Sequence, residues 1–491
     1  MSSDLGRAKN LAQAPLLRTT RQLAVILTLS FLFVSGGLVY WQIAKADDLL
    51  AHPSNVRLAI YSEGIQRGGI YDRNGKVLAI SKVATDIDGT IKYERSYPYE
   101  DMCEPWLGFV SAKYGSTGLE SIREKTLLGL TGGPWLDMLK REFSDHMKGY
   151  DVVLTVDAGL QKVAAEALKG KVGSAVVLDP KTGAVLALVS SPSFDPNSLE
   201  ENWDGIITRE NSPMVNHAFG LFPPGSVMKI MSSAALFSTE IDTGALYHCS
   251  GSTVVNGQTI SEQNANGHGW VNYDLALAYS CNTYFAEKGL QAGQEALKRT
   301  TDDFGFGAQI PFDLPVNRSA IVRTAFPGDS MSDNLLASSY FGQGEVMVSS
   351  FHMALVVAAV ANEGKMMSPY LVERVLGFNQ MPIEVSEPKV WRQPLSPDQA
   401  NKIKGAMIVA VKEGTAQNGR IPWVTVAAKT GSAEPGGATE AHAWYAAFAP
   451  AENPQVVVVV LVENGGSGGQ TAAPIGKKIM EEALTKKGGG I

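Results

Sequence analysis

Apolar residues run almost unbroken from Leu23 to Ile43, relieved only by small or hydroxyl residues and Gln42. At ~1.5 Å per residue, a helix of that length crosses a ~30 Å hydrocarbon core. Arg7, Lys9, Arg18 and Arg21 precede the stretch, and Asp47 and Asp48 follow it. That asymmetry predicts a cytoplasmic N-terminus, with everything after Lys45 on the far side of the membrane. A cleaved signal peptide is the competing reading, with Gly36-Gly37 and Ala44-Lys-Ala46 as small-residue features. The apolar run is longer than the ~7–15 residues of a signal-peptide core, which favours a single retained anchor.

Beyond the anchor the pattern changes twice. Between Ala46 and about Gly149 it is mixed, with Arg67-Gly68-Gly69 and Asn74-Gly75 as hairpin-type punctuation and no catalytic constellation. From Asp151 onward, short β-prone apolar runs appear at Ala175–Leu178, Ala184–Val189, Val424–Ala428, Ala443–Phe448 and Val456–Val462. Helical periodicity dominates between Ser226 and Ala361 and returns at Ile475–Thr485. Two early strands, a long helical insertion and then the remaining strands predict an α/β fold: a sheet flanked by helices, with an inserted all-helical part. The expected organisation is a tail (1–22), a membrane helix (23–43), a non-catalytic N-terminal domain (44–150) and a catalytic domain (151–491).

Composition narrows the function classes. The chain of 491 residues is 45% hydrophobic and 19% charged, ordinary for a globular protein. A net charge of −7 and the lack of any long basic run argue against nucleic-acid binding. Three cysteines, Cys103, Cys249 and Cys281, are too few for a disulfide framework, although a Cys103–Cys249 pair outside the cytoplasm stays open. A zinc site from His248, Cys249 and His268 lacks recognised ligand spacing, so no metal is expected.

The candidate chemistry starts at Ser226-Val-Met-Lys229, which follows Pro223-Pro224-Gly225 and opens an apolar helical run. Residues i and i+3 share a helix face, so the Lys229 amine would lie beside the Ser226 hydroxyl and could activate it. The helix N-terminus adds unpaired N–H groups and a positive dipole end for developing negative charge. A second match, Ser386-Glu-Pro-Lys389, fails because the proline disfavours a helical conformation at Glu387.

Two companion motifs each occur twice. Lys181-Thr182-Gly183 lies between two strand-like segments behind Asp179-Pro180 and reads as a hairpin turn. Lys429-Thr430-Gly431, continuing into Ser432, follows a strand-like segment after the nucleophile and is the choice for the active-site strand. Ser332-Asp333-Asn334 directly precedes an apolar helical start and reads as an N-cap. Ser280-Cys281-Asn282 instead sits between two helix-like stretches, where a short turn would aim its hydroxyl into a cleft.

With these motifs in order, the chain resembles the class B penicillin-binding proteins, monofunctional D,D-transpeptidases of peptidoglycan. The resemblance runs from about Arg67 to about Asn464. It includes Arg67-Gly-Gly-Ile-Tyr-Asp-Arg-Asn-Gly-Lys76, Gly118-Leu-Glu120, Asp179-Pro-Lys-Thr-Gly183, Ser191-Pro-Ser-Phe-Asp-Pro-Asn197, Gly342-Gln-Gly344 and His442-Ala-Trp-Tyr445. It is closest to the short elongation-type members and implies the penicillin-recognising transpeptidase fold on a non-catalytic pedestal. Arg67 would be either a partner contact of that pedestal or a solvated surface residue.

The resemblance also implies roles. Ser226 would attack the carbonyl between the last two D-alanines of a stem peptide, and Lys229 would take its proton, helped by a nearby Lys429. Ser280 would relay a proton to the leaving amine, and Asn282 would bind the substrate backbone. Lys429 and Thr430 would hold the terminal carboxylate, and Gly431 would leave room for substrate. The backbone N–H groups of Ser226 and Ser432 would form the oxyanion hole. β-Lactams would acylate the same serine. A multi-span glycan polymerase of the shape, elongation, division and sporulation (SEDS) group is the implied partner in the bacterial cell membrane, and no cofactor is implied. D,D-carboxypeptidase, serine β-lactamase and a non-turnover β-lactam receptor are the alternative readings.

Overall fold

The computed structural model describes residues 3–41, 45, 65–85, 91–130, 148–321, 330–436 and 439–488, which fall into two compact units, Met1–Gly64 and Ile65–Ile491. Asp47 and Asp48, used above to orient the anchor, and the whole segment from 46 to 64 lie outside the described residues. In the first unit a single helix spans Ser3–Val39. Its apolar part is Thr19–Val39, 21 residues with a mean hydropathy of 2.0, none of it buried. It begins four residues before the expected Leu23, and within it Thr28 Oγ1 donates to the Ala24 carbonyl at 2.8 Å. Gln42 and Ile43 lie outside the described residues.

The second unit is built on two sheets. The larger core surrounds a five-stranded antiparallel sheet in the order Ala427–Ala433, His442–Ala449, Val456–Val462, Gly173–Leu178, Val185–Ser191. Alternate residues of each strand face opposite cores. Val457, Val459 and Leu461 join the helix Ser350–Ala361 on one side, while Val456, Val458 and Val460 join the helices Ala158–Leu168 and Ala473–Gly488 on the other. Burial on both faces explains why Val456–Val462 reads as a continuous apolar run rather than an alternating one.

One strand is displaced from its expected position. Val424–Ala428 was the expected segment, but the strand starts at Ala427 and carries Lys429, Thr430 and Gly431 within it. Val424 makes only a lone bridge to Ile421 around Pro422, so its apolar side chain serves a turn. The inserted part also departs from all-helical. Ser252–Val255 pairs with Gln258–Ser261, and Tyr247–Cys249 pairs with Gly269–Val271. The first ribbon turns on Asn256-Gly257, both at positive φ (43° and 82°), the favoured chemistry for a two-residue hairpin.

The second sheet has six strands in the order Pro382–Val385, Val372–Leu376, Asp151–Leu154, Ile70–Tyr71, Val77–Thr85, Ile91–Ser96. Asp151–Leu154, expected to open the catalytic domain, is therefore an inner strand between a pedestal strand and one that follows the helical insertion. Beside this sheet, Glu120 is fully buried between two arginines, with Arg67 Nε and Arg95 Nε each 2.7 Å from its carboxylate oxygens. Arg67 is 5% exposed, which overturns both expectations for it, partner contact and solvated surface. Burial alone would raise the Glu120 carboxyl, but the Arg95 and Arg67 guanidiniums outweigh it and hold the group below its ordinary range.

Candidate active site

Ser226 lies on a short 3₁₀ turn, Gly225–Met228, that leads directly into the helix Lys229–Phe237. Gly225 has φ +54°, and its N–H donates to the Gly342 carbonyl at 2.9 Å. The turn lies against the edge strand Ala427–Ala433: a Cβ at Gly431 would stand 2.9 Å from the Pro224 carbonyl and 3.2 Å from the Val227 nitrogen. The need for glycine at 431 therefore comes from the nucleophile turn behind the strand. Trp444 Nε1 adds a hydrogen bond to the Pro223 carbonyl at 3.0 Å, fixing the approach to the serine.

Lys229 is fully buried at the centre of the cluster. Its Nζ donates to Ser226 Oγ at 3.1 Å, the Ser280 carbonyl at 2.6 Å, Ser280 Oγ at 3.2 Å and Asn282 Oδ1 at 2.7 Å. On the other side of Ser280, Lys429 Nζ donates to its Oγ at 2.9 Å and to the Thr430 carbonyl at 2.9 Å. Ser280 thus bridges two lysines, and it does so from a left-handed backbone conformation (φ +64°) between the helices Tyr273–Ala278 and Asn282–Asp303. Asx-type and glycine residues adopt that conformation more readily, so a serine held there is a strained position of the sort that clusters at functional sites.

Burial pushes the Lys229 ammonium down to about 8. Lys429 is also fully buried and lies well below its ordinary value, first from burial and then from repulsion by Lys229. Burial is the leading cause at both lysines, and repulsion between the two amines further disfavours their being charged together.

These residues open onto a cleft of roughly 850 Å³, also lined by Thr415, Thr430, Ser432, Gln343 and Glu434. Thr430 Oγ1 donates to Thr415 Oγ1 at 2.7 Å, and Ser432 Oγ accepts from the Gly468 N–H at 3.2 Å. The eight sequence-predicted residues, Ser226, Lys229, Ser280, Asn282, Lys429, Thr430, Gly431 and Ser432, converge here.

The rejected motifs lie in structural roles. Ser332 caps the helix Asp333–Tyr340, its hydroxyl accepting from the Leu335 N–H at 3.3 Å. Lys181 and Thr182 sit in a hairpin turn whose N–H groups donate to Asp179 Oδ1, with Gly183 at φ +83°. Ser386 bonds the Val372 carbonyl in an irregular segment.

Two contributors escaped the sequence reading. Thr415 follows Gly414 after the helix Pro397–Lys412, and its role depends on contact with a strand that pairs elsewhere. Glu262 receives the N–H groups of Asn282 and Thr283 at 3.1 and 2.8 Å, so it fixes the start of the helix that carries Asn282. Neither has a local pattern that marks it.

Behind the Ser280 turn, Cys249, Glu262, His268 and Cys281 gather, with their ligand-type atoms all within 4.8 Å of one another. His248, named with Cys249 and His268 in the rejected zinc reading, is exposed and packs on Trp270 instead, with ring centroids 4.9 Å apart. Cys103, Cys249 and Cys281 are all buried free thiols, so the Cys103–Cys249 pairing is not formed.

Comparison with known proteins places the same regions in one family. Residues 173–481 match the penicillin binding protein transpeptidase domain, and residues 67–152 match the penicillin binding protein A dimerisation domain. The chain is 34% identical to peptidoglycan D,D-transpeptidase PbpA of Mycolicibacterium smegmatis, over 94% of this chain and 98% of that one. Among solved structures, penicillin-binding protein A from M. tuberculosis as a ceftriaxone acyl-enzyme complex superposes with a TM-score of 0.80 at 32% identity. It covers 87% of this chain and 100% of that one. The transpeptidase domain of an Eggerthella lenta peptidoglycan glycosyltransferase superposes with a TM-score of 0.76 at 29% identity, covering 87% of this chain and 99% of that one.

Proposed function

The chain belongs to the class B penicillin-binding proteins, and from that membership and the cleft geometry we propose that it cross-links peptidoglycan stem peptides through a Ser226 acyl-enzyme. The observation that carries the assignment is the Lys229 amine, 3.1 Å from Ser226 Oγ, buried and pushed down to about 8. An amine neutral part of the time at neutral pH can accept the serine proton as Oγ bonds to the carbonyl carbon of the penultimate D-alanine. Collapse of the tetrahedral adduct breaks the C–N bond to the terminal D-alanine. Ser280, in contact with both lysines, passes a proton to that leaving nitrogen. The acceptor amine of a second stem peptide then attacks the ester and frees Ser226.

The remaining roles follow from position. Lys429 and Thr430 hold the terminal carboxylate, and Thr415 orients the Thr430 hydroxyl. Asn282 binds the substrate backbone, and the N–H groups of Ser226 and Ser432 receive the oxyanion. A β-lactam enters the same sequence, and its ring nitrogen is the leaving group that stays tethered.

Thr19–Val39 anchors this machinery in the bacterial cell membrane. Arg7, Lys9, Arg18 and Arg21 hold the N-terminus in the cytoplasm, and the cleft faces outward. The uncovered apolar face of that helix is available to a SEDS-type glycan polymerase, the partner that class membership implies.

Partition of the acyl group separates this reading from hydrolysis. Full-length protein in detergent, given a D-Ala-D-Ala-type thioester and a D-amino acid acceptor, transfers the acyl group to the amine. Release to water alone, with no dependence on acceptor concentration, would assign carboxypeptidase activity instead.

A further inference from the structure

The strand Ala427–Ala433 lies at the edge of the five-stranded sheet, so one side of its backbone is left free along the cleft. An extended peptide can add there as a further strand. The roles proposed above give that peptide a direction. Its terminal carboxylate is held at Lys429 and Thr430, and the carbonyl under attack reaches the Ser432 N–H. From its C-terminus back towards its N-terminus, the donor therefore runs from Lys429 towards Glu434, antiparallel to the strand. At ~3.3 Å per residue, Glu434 lies about 7 Å beyond Ser432, opposite the donor residue immediately before the D-Ala-D-Ala pair.

Glu434 is placed to meet that residue. Thr430, Ser432 and Glu434 are alternate positions and all line the cleft, whereas Ala433 is buried. The Gly468 N–H bond to Ser432 Oγ sets the segment after Val456–Val462 against this wall, where Ser467 and Gln470 add neutral polar side chains. Of the two carboxylates that line the cleft, Glu262 is buried and receives the Asn282 and Thr283 N–H groups. Glu434 is exposed and makes no ion pair among the described residues. Lys229 and Lys429 are fully buried around Ser280. Glu434 is thus the one exposed charged side chain among the described residues that line the cleft.

We infer that Glu434 binds the side-chain ammonium of a donor whose residue before the D-Ala-D-Ala pair carries a primary amine. The inference rests on the transpeptidase reading and names a substrate feature of that site. Cross-linking consumes an amine of a second stem peptide, and donor and acceptor are copies of the same polymer unit. The donor therefore brings such an amine too. It is protonated at neutral pH, because a lysine-type amine ordinarily titrates near ~10.4. A flexible stem of about four carbons lets it reach along the cleft wall to the carboxylate. Glu434 then selects which donor is acylated, and the proton transfers stay with Lys229 and Ser280.

Two thioester donors test this with full-length protein in detergent: Nα-acetyl-Lys-D-Ala-D-thiolactate with a free ε-amine, and its Nε-acetyl form. Thiol release reports acylation whichever way the acyl group then goes. An exposed ion pair is modest, so the wild type should favour the free amine about three- to fivefold in kcat/KM. The preference should fade in ~1 M salt, where the Debye length falls to ~3 Å. Glu434→Gln should bring the two donors to equal kcat/KM, and Glu434→Lys should favour an Nε-succinyl donor instead. Comparing donors within one variant separates lost selectivity from a damaged fold. Equal kcat/KM for both donors in the wild type overturns the inference, as does a preference that survives in Glu434→Gln. Acyl transfer to water alone would overturn the transpeptidase reading, while the donor preference would still be read in thiol release.

Discussion

Lys229 Nζ lies within hydrogen-bond distance of four oxygens in a fully buried position, and three of them belong to Ser280 and Asn282. Such an amine shifts toward neutrality because burial penalises its charge, and the pH dependence of acylation follows. With a value of about 8, the neutral fraction rises about tenfold between pH 7 and pH 9. The rate of reaction with benzylpenicillin should rise by the same factor and then level off. A flat or falling stopped-flow profile over that range would remove Lys229 as the base. The choice between serines is tested in the same assay. Ser280→Ala should slow acylation by about 100-fold, the low end for an acid–base participant, whereas Ser332→Ala should leave it nearly intact. The reverse order would move the motif to Ser332.

At the scale of elements, the sequence made the motifs visible because each is local: a helix turn for Ser226 and Lys229, a tight inter-helix turn for Ser280, a strand for Lys429 to Gly431. Their meeting was not local. Lys429 reaches Ser280 across 149 residues, and only the resemblance brought the two together beforehand. The edge strand was misplaced because Val424–Thr425 look more β-prone than Lys429–Ser432, while pairing with His442–Ala449 decides the matter. Gly431 shows the same limit. Its glycine reads locally as space for substrate, but the close neighbour is the Pro224 carbonyl on the nucleophile turn. Gly431→Ala should therefore displace Ser226 and slow acylation by about 10- to 100-fold with little change in thermal midpoint. Acylation at the wild-type rate would show that the turn absorbs the methyl without moving the serine.

For the whole molecule, the pedestal and the catalytic part are joined by a continuous sheet, and the pedestal beside it holds a buried charge cluster. Arg67 looked like any surface arginine because nothing within a few residues of it signals Glu120 and Arg95. Glu120→Ala would leave two guanidiniums buried without their shared carboxylate, a change that costs about 3–5 kcal/mol. Thermal unfolding should show a large drop in midpoint, with the acylation site chemically unchanged in the protein that stays folded. Because Glu120's carboxyl is lowered in the folded state, its contribution is present at neutral pH and fades as pH falls below the ordinary carboxylate range. A midpoint equal to wild type at pH 7 would contradict a structural role for the cluster.

The most direct test of the central claim is intact-mass spectrometry of full-length protein in detergent, exposed to benzylpenicillin and followed over time. A stable adduct of one penicillin per chain should form, map to the peptide containing Ser226, and vanish in Ser226→Ala. An adduct on any other residue, or one lost rapidly with continued penicillin consumption, would contradict a Ser226 transpeptidase.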